Sequence, residues 1–192
     1  MRRLLPAAPL LAALVVGAAA APMAQASADS FDDATTGIYV ATSDDFTISR
    51  GMREGYELVL LINPVGNYPS RVEGESRLCG LYFKAVPSSE TQQWLNSRWT
   101  DEAALAQGRR FFDRVLQVKS QETFTLRNAN GADVVGLELV GPSRRNPEEI
   151  VMLSLINTPR GHLQMACLLR SDQAVKAAFA LRAIRDTIKL PK

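Results

Sequence analysis

The 192-residue sequence holds one histidine and two cysteines, and that scarcity excludes much of the chemistry open to a small protein. With His162 alone there is no HExxH, no histidine-rich metal site and no second imidazole for a relay. Cys79 and Cys167 lie too far apart for a CxxC zinc or redox site, so neither a metal nor a cofactor is expected. GxSxG is missing, since Gly74-Glu75-Ser76-Arg77-Leu78 lacks its second glycine, and so are Ser-x-x-Lys, GxxxxGK and GxGxxG. Acyl-enzyme and nucleotide chemistry lose their usual handles. A basic excess is also missing: the 22 Lys+Arg include Arg2 and Arg3, and without those two the count is 20 against 20 Asp+Glu. Arg109-Arg110 and Arg144-Arg145 are isolated pairs, so neither nucleic acid nor an anionic membrane surface is an expected partner. Twelve Gly and ten Pro are too few for a low-complexity linker, and the single long apolar run is at the N-terminus.

That run reads as an export signal. Arg2 and Arg3 form a positive start, Leu10 to Ala21 are apolar, and Ala24-Gln25-Ala26 and Ala26-Ser27-Ala28 offer small-x-small cleavage sites. Cleavage is expected after Ala28, with Ala26 the alternative. An uncleaved anchor over Leu4 to Ala24 is opposed by Pro6, Pro9, Gly17 and Pro22, so no stable membrane insertion is expected after processing. Residues 1–28 are thus assigned to a cleaved signal peptide, 29–36 to a mobile polar leader and 37–192 to one domain in the periplasm or outside the cell. In an oxidising compartment two thiols without a third competitor pair most simply with each other. A Cys79–Cys167 disulfide requires their strands to be neighbours or to face each other, with Cα atoms about 4.4–6.8 Å apart. The alternative is a reactive thiol beside His162.

Short apolar runs predict strands at Ile38–Ala41, Phe46–Ile48, Tyr56–Ile62 and Cys79–Ala85, the last two joined by a loop over Asn63–Ser76. Two helices or one kinked helix are expected between Glu90 and Leu116, with Ser89 and Gln92 as a capping box and a restart at Thr100-Asp101-Glu102. Trp94, Arg98 and Trp99 fall near one side of the first helix, where an aromatic pair flanking a guanidinium could stack on a ligand; tryptophans beside a sheet also serve as core. Phe124 and Leu126 alternate up to Asn130-Gly131, Val135, Leu137 and Leu139 alternate on the return, and a loop follows over Gly141–Pro147. A second hairpin pairs Ile150–Ile156 with His162–Leu169, placing His162 at the turn as a solvated residue. A helix starting at Ser171 or Asp172 carries Ala174, Ala177, Leu181, Ile184 and Ile188 as one stripe, flanked by Arg182, Arg185 and Lys189.

These elements predict an α+β fold: an antiparallel meander sheet covered by a central helical segment and a C-terminal amphipathic helix. Their order from Phe46 to Ile188, with Phe46-Thr47-Ile48 before a polar turn and a terminal helix bearing Phe179, Ile184 and Ile188, resembles the PsbP-like superfamily. That is the fold of an extrinsic photosystem subunit and of small exported bacterial proteins. The resemblance implies a non-enzymatic assembly or binding role and carries over no functional residue. The expected function is an exported, non-catalytic accessory or binding module acting on a protein partner or small ligand. The alternatives are a cofactor-free hydrolase, for which Glu73 with Glu75 or Glu148 with Glu149 would supply paired carboxylates, and a secreted envelope or virulence-associated factor.

Overall fold

The computed structural model describes residues 29–191, so the expected signal segment and its cleavage sites lie outside the described residues. The chain opens with a hairpin of β1 (Ser30–Asp33) and β2 (Ile38–Ala41). This corrects the expected mobile leader over residues 29–36. The polar run is held by Asp33, whose carboxylate accepts from the Thr36 backbone N–H at 2.9 Å and the Thr36 hydroxyl at 2.7 Å and pairs with Arg50 at 3.2 Å. Burial opposes ionisation of Asp33, but these contacts outweigh it and hold its carboxyl below the usual range. Gly37, at φ 71°, closes the turn in a conformation other residues rarely adopt.

There follow β3 (Phe46–Arg50), β4 (Leu58–Pro64) and β5 (Cys79–Ala85), then α1 (Gln92–Ser97) and α2 (Glu102–Phe112). Next come β6 (Ser120–Arg127), β7 (Asp133–Pro142), β8 (Glu149–Thr158), β9 (Gly161–Arg170) and finally α3 (Ala174–Asp186). β3 to β9 form one antiparallel seven-stranded sheet in the order β3-β4-β5-β9-β8-β7-β6. The architecture is α+β with a four-strand meander, and the last strand of that meander joins the early strands through β5.

Both faces of the sheet are covered. The larger core lies between one face, the β1–β2 hairpin and the inner side of α3, where Leu60, Leu81, Met152, Met165 and Leu181 are buried. A smaller cluster of Leu116, Leu137, Leu139, Val151 and Leu153 sits on the other face, with Trp99, Leu105 and Phe112 packed against it. Strand alternation explains the split: along β7 Leu137 and Leu139 go to the small cluster, while Val134 and Glu138 go to the α3 side. β7 runs on to Pro142, two residues into the expected loop. α3 starts at Ala174, after the expected Ser171 or Asp172, because the Asp172 carboxylate is engaged by Arg170 at 3.2 Å instead of capping the helix. Val115 falls beyond the end of α2 and is exposed, leaving Leu105, Phe112 and Leu116 as the packed positions.

Cys79 and Cys167 stand directly opposite each other in the β5–β9 register and form a disulfide. The Leu168 N–H donates to the Leu78 carbonyl at 3.0 Å, which makes that adjacent pair the hydrogen-bonded one and the cysteines a non-hydrogen-bonded pair. Side chains approach most closely at such pairs. The Cα separation is accordingly 4.0 Å, slightly below the expected range.

Candidate functional site

The residues singled out for binding come together around α1. Thr91, not Ser89, caps this helix: its hydroxyl accepts from the Trp94 N–H at 3.2 Å. Gln92 is not the second half of a capping box, because its amide donates to the Asn157 carbonyl on β8 at 3.0 Å. Asn96 donates to the Asp133 carbonyl at 2.9 Å and accepts from the Val135 N–H at 2.9 Å, so a six-residue helix is fastened to β7 and β8. Between α1, the segment after β5 and the β8–β9 turn lies a cleft of about 490 Å³, lined by Trp94, Arg98, Trp99, Glu90, Asn157 and His162 among others.

The side chains play different parts. Trp94 is 45% exposed, and the Arg98 guanidinium sits 5.5 Å from its ring centroid. Arg98 also pairs with Asp101 at 3.3 Å. Trp99 packs against the smaller core cluster, and its indole N–H is shielded from solvent with no acceptor among the described residues. His162 is the second residue of β9 and faces this cleft, with Nδ1 2.7 Å from Asn157 Oδ1. As expected of a turn residue the ring is exposed to solvent, but the protein surface beside it partly desolvates it and Lys84 adds a like charge, and both lower its pKa and favour the neutral imidazole. As His162 is the sole histidine, its ring resonances in an NMR titration are expected to show one midpoint below 6.5; a midpoint above 6.5 would place the ring in water beside a carboxylate instead.

Ser88 lines the same cleft, yet its hydroxyl accepts from the Glu90 N–H at 3.1 Å, and among the described residues no hydrogen bond joins it to His162. Ser88 and His162 therefore do not make a nucleophile–base contact with each other. The expected carboxylate pairs are elsewhere. Glu73, Glu148 and Glu149 share a polar cleft of about 630 Å³ with Arg170 and Asp172, while Glu75 lines a neighbouring one. Arg170 holds the Asp172 carboxyl below its usual range, the reverse of what a general acid needs. Among the described residues no group of three or more His, Cys, Asp or Glu is placed to hold a metal.

A second surface was not singled out by sequence. The outward side of α3 carries Val175 and Phe179, one turn apart and 91% and 81% exposed. Beside Phe179 is a groove of about 590 Å³ walled by Phe46, Val65, Tyr68 and Pro69, with Asp44 and Asp45 also lining it. The Ser70 N–H donates to Gln173 Oε1 at 2.8 Å, and Lys176 Nζ lies 5.0 Å from the Tyr68 ring centroid, so the β4–β5 loop is tied to α3. The amphipathic stripe revealed which side of α3 goes inward; Val175 and Phe179 break the rule that the other side is polar.

No protein-family model matches the sequence, and none of the curated proteins does. Among solved structures the chain is similar to the solution structure of cyanobacterial PsbP (CyanoP) from Synechocystis sp. PCC 6803. The two share 15% identity over 95% of this chain and 99% of that one, with a TM-score of 0.48. The likeness is one of fold alone and assigns no role to any residue.

Proposed function

We propose that the chain is an exported, non-catalytic accessory module that docks a protein partner through the outward face of α3. The supporting observation is the exposure of Val175 and Phe179 on a helix whose inward side, Ala177, Leu181 and Ile184, is already buried. Large apolar side chains grouped on a surface mark an interaction site when they are not needed by the core. The sheet edges are less suited to docking. Ile48 on β3 already donates to Asp29 at 2.6 Å, and β6 presents Glu122 and Arg127, charges that discourage strand addition. The partner presents an apolar side chain for the groove and one cationic group, since Asp44 and Asp45 outnumber Lys176 along its wall. Export is supported by the N-terminal sequence and the compartment a disulfide needs.

A photo-crosslinking residue at position 179 is expected to trap a partner in native cells, whereas one at position 52, on an equally exposed methionine elsewhere, does not. The Val175→Asp, Phe179→Asp double variant should lose at least about tenfold in partner affinity with an unchanged melting temperature, since both side chains are in solvent. Equal trapping at both positions, or full binding by the double variant, overturns the reading. A dimer of this chain abolished by the same substitutions would make the occupant a second copy.

A further inference from the structure

We infer that the cleft beside α1 is a saccharide-binding site, one that recognises an uncharged pyranose by stacking and hydrogen bonding. Its charge excludes most other ligands. Glu90 and Asp101 bring two negative charges to the cleft and its border, Arg98 and the nearby Lys84 two positive ones, so there is no net charge to select a phosphate, a polyanion or an ammonium ion. His162 adds none at neutral pH.

What remains is an amphipathic lining. Trp94 presents an exposed aromatic surface on the cleft, with the Arg98 guanidinium beside its ring as a donor. Around it stand an amide, a carboxylate, a guanidinium and an imidazole, supplying acceptors and donors in comparable number. A pyranose matches both properties: one face of its ring is C–H-rich and lies flat on an aromatic, and its hydroxyls each donate and accept. The walls are fixed in advance by Gln92 on Asn157, Asn96 on β7, and the Ser88 N–H on the Pro159 carbonyl at 2.8 Å, so little ordering is required on binding. A proline-rich peptide is the nearest competitor, since it docks on aromatic ridges. It needs two such ridges standing side by side. Here one tryptophan stands out and the other is packed into the protein.

The chain's two tryptophans both line this cleft, so intrinsic tryptophan emission reports on it alone. Titration of the full processed protein with a trimer of N-acetylglucosamine, with cellotriose and with maltotriose is expected to give a saturable change for at least one. A proline decamer should give none. Calorimetry of the Trp94→Ala variant with the same sugar should show affinity reduced at least about tenfold, and Trp94→Tyr should recover part of it. The Val175→Asp, Phe179→Asp variant should bind sugar normally, which separates this site from the α3 surface. Absence of any response to all three sugars, a response to the proline decamer instead, or unchanged sugar affinity in Trp94→Ala overturns the assignment.

Discussion

Glu138→Ala is expected to cost roughly 3–5 kcal/mol of folding stability, far more than removal of a solvent-exposed carboxylate would. Glu138 lies on β7 with 2% of its side chain exposed, and it is bound from α3 by two arginines. Its Oε2 accepts from Arg185 Nη1 at 2.5 Å, and its Oε1 accepts from Arg182 Nε at 2.8 Å and Nη2 at 2.6 Å. Arg185 is itself buried, stacked 4.1 Å from the Phe124 ring centroid, with Asp186 as its other acidic partner at 2.7 Å. Truncation of Glu138 leaves that guanidinium in a low-dielectric layer with half its compensation removed. The cost arises from the stranded cation more than from the lost attraction, so the Glu138→Leu, Arg185→Met double variant should be more stable than Glu138→Ala. Urea unfolding followed by tryptophan fluorescence measures both. A loss below about 1 kcal/mol for Glu138→Ala would mean that water reaches the layer.

Reduction of the Cys79–Cys167 disulfide should be at least as damaging. The bond closes a loop of 88 residues, for which the chain-entropy relation gives roughly 4–5 kcal/mol through restriction of the unfolded chain. With about 5–15 kcal/mol typical for a whole domain, this is a large share. Both cysteines are buried, so the Cys79→Ala, Cys167→Ala variant is expected to fold but to melt well below the oxidised protein. Reductant should leave the variant's melting temperature unchanged while lowering that of the natural chain. Equal melting temperatures for the oxidised protein and the variant would assign the bond no part in stability.

The sequence made some of this legible for identifiable reasons. Asn130-Gly131 announced a hairpin because few dipeptides tolerate that turn, and the inward stripe of α3 followed from helical spacing. Cys79 and Cys167, with no third cysteine competing, required β5 and β9 to be neighbours or to face each other, which is topological information that hydrophobic patterning alone does not carry; the register makes them neighbours. The β1–β2 hairpin was hidden because Asp33 looks like a solvated charge until Thr36 and Arg50 surround it. Glu138 was hidden likewise, since an acid between Leu137 and Leu139 reads as the solvent side of a strand when only one face is imagined covered. The same blindness concerns the cleft. Trp94 and Arg98 were suspect from their spacing, but the approach of His162 and Asn157 depends on β8 and β9 passing beneath α1, more than fifty residues later in the chain.

The junction between β5 and β9 also governs how the chain reaches its fold. β5 ends at Ala85, and its partner begins only at Gly161, so neither the early strands nor the meander can complete the sheet until nearly all of the chain is available. Pairings this distant in sequence must overcome loop-closure entropy before they return any contact energy, which places such proteins among the slower folders. A polypeptide emerging from a narrow channel with its N-terminus first therefore has no complete sheet to form until its last fifth arrives, and the threading and the folding do not compete.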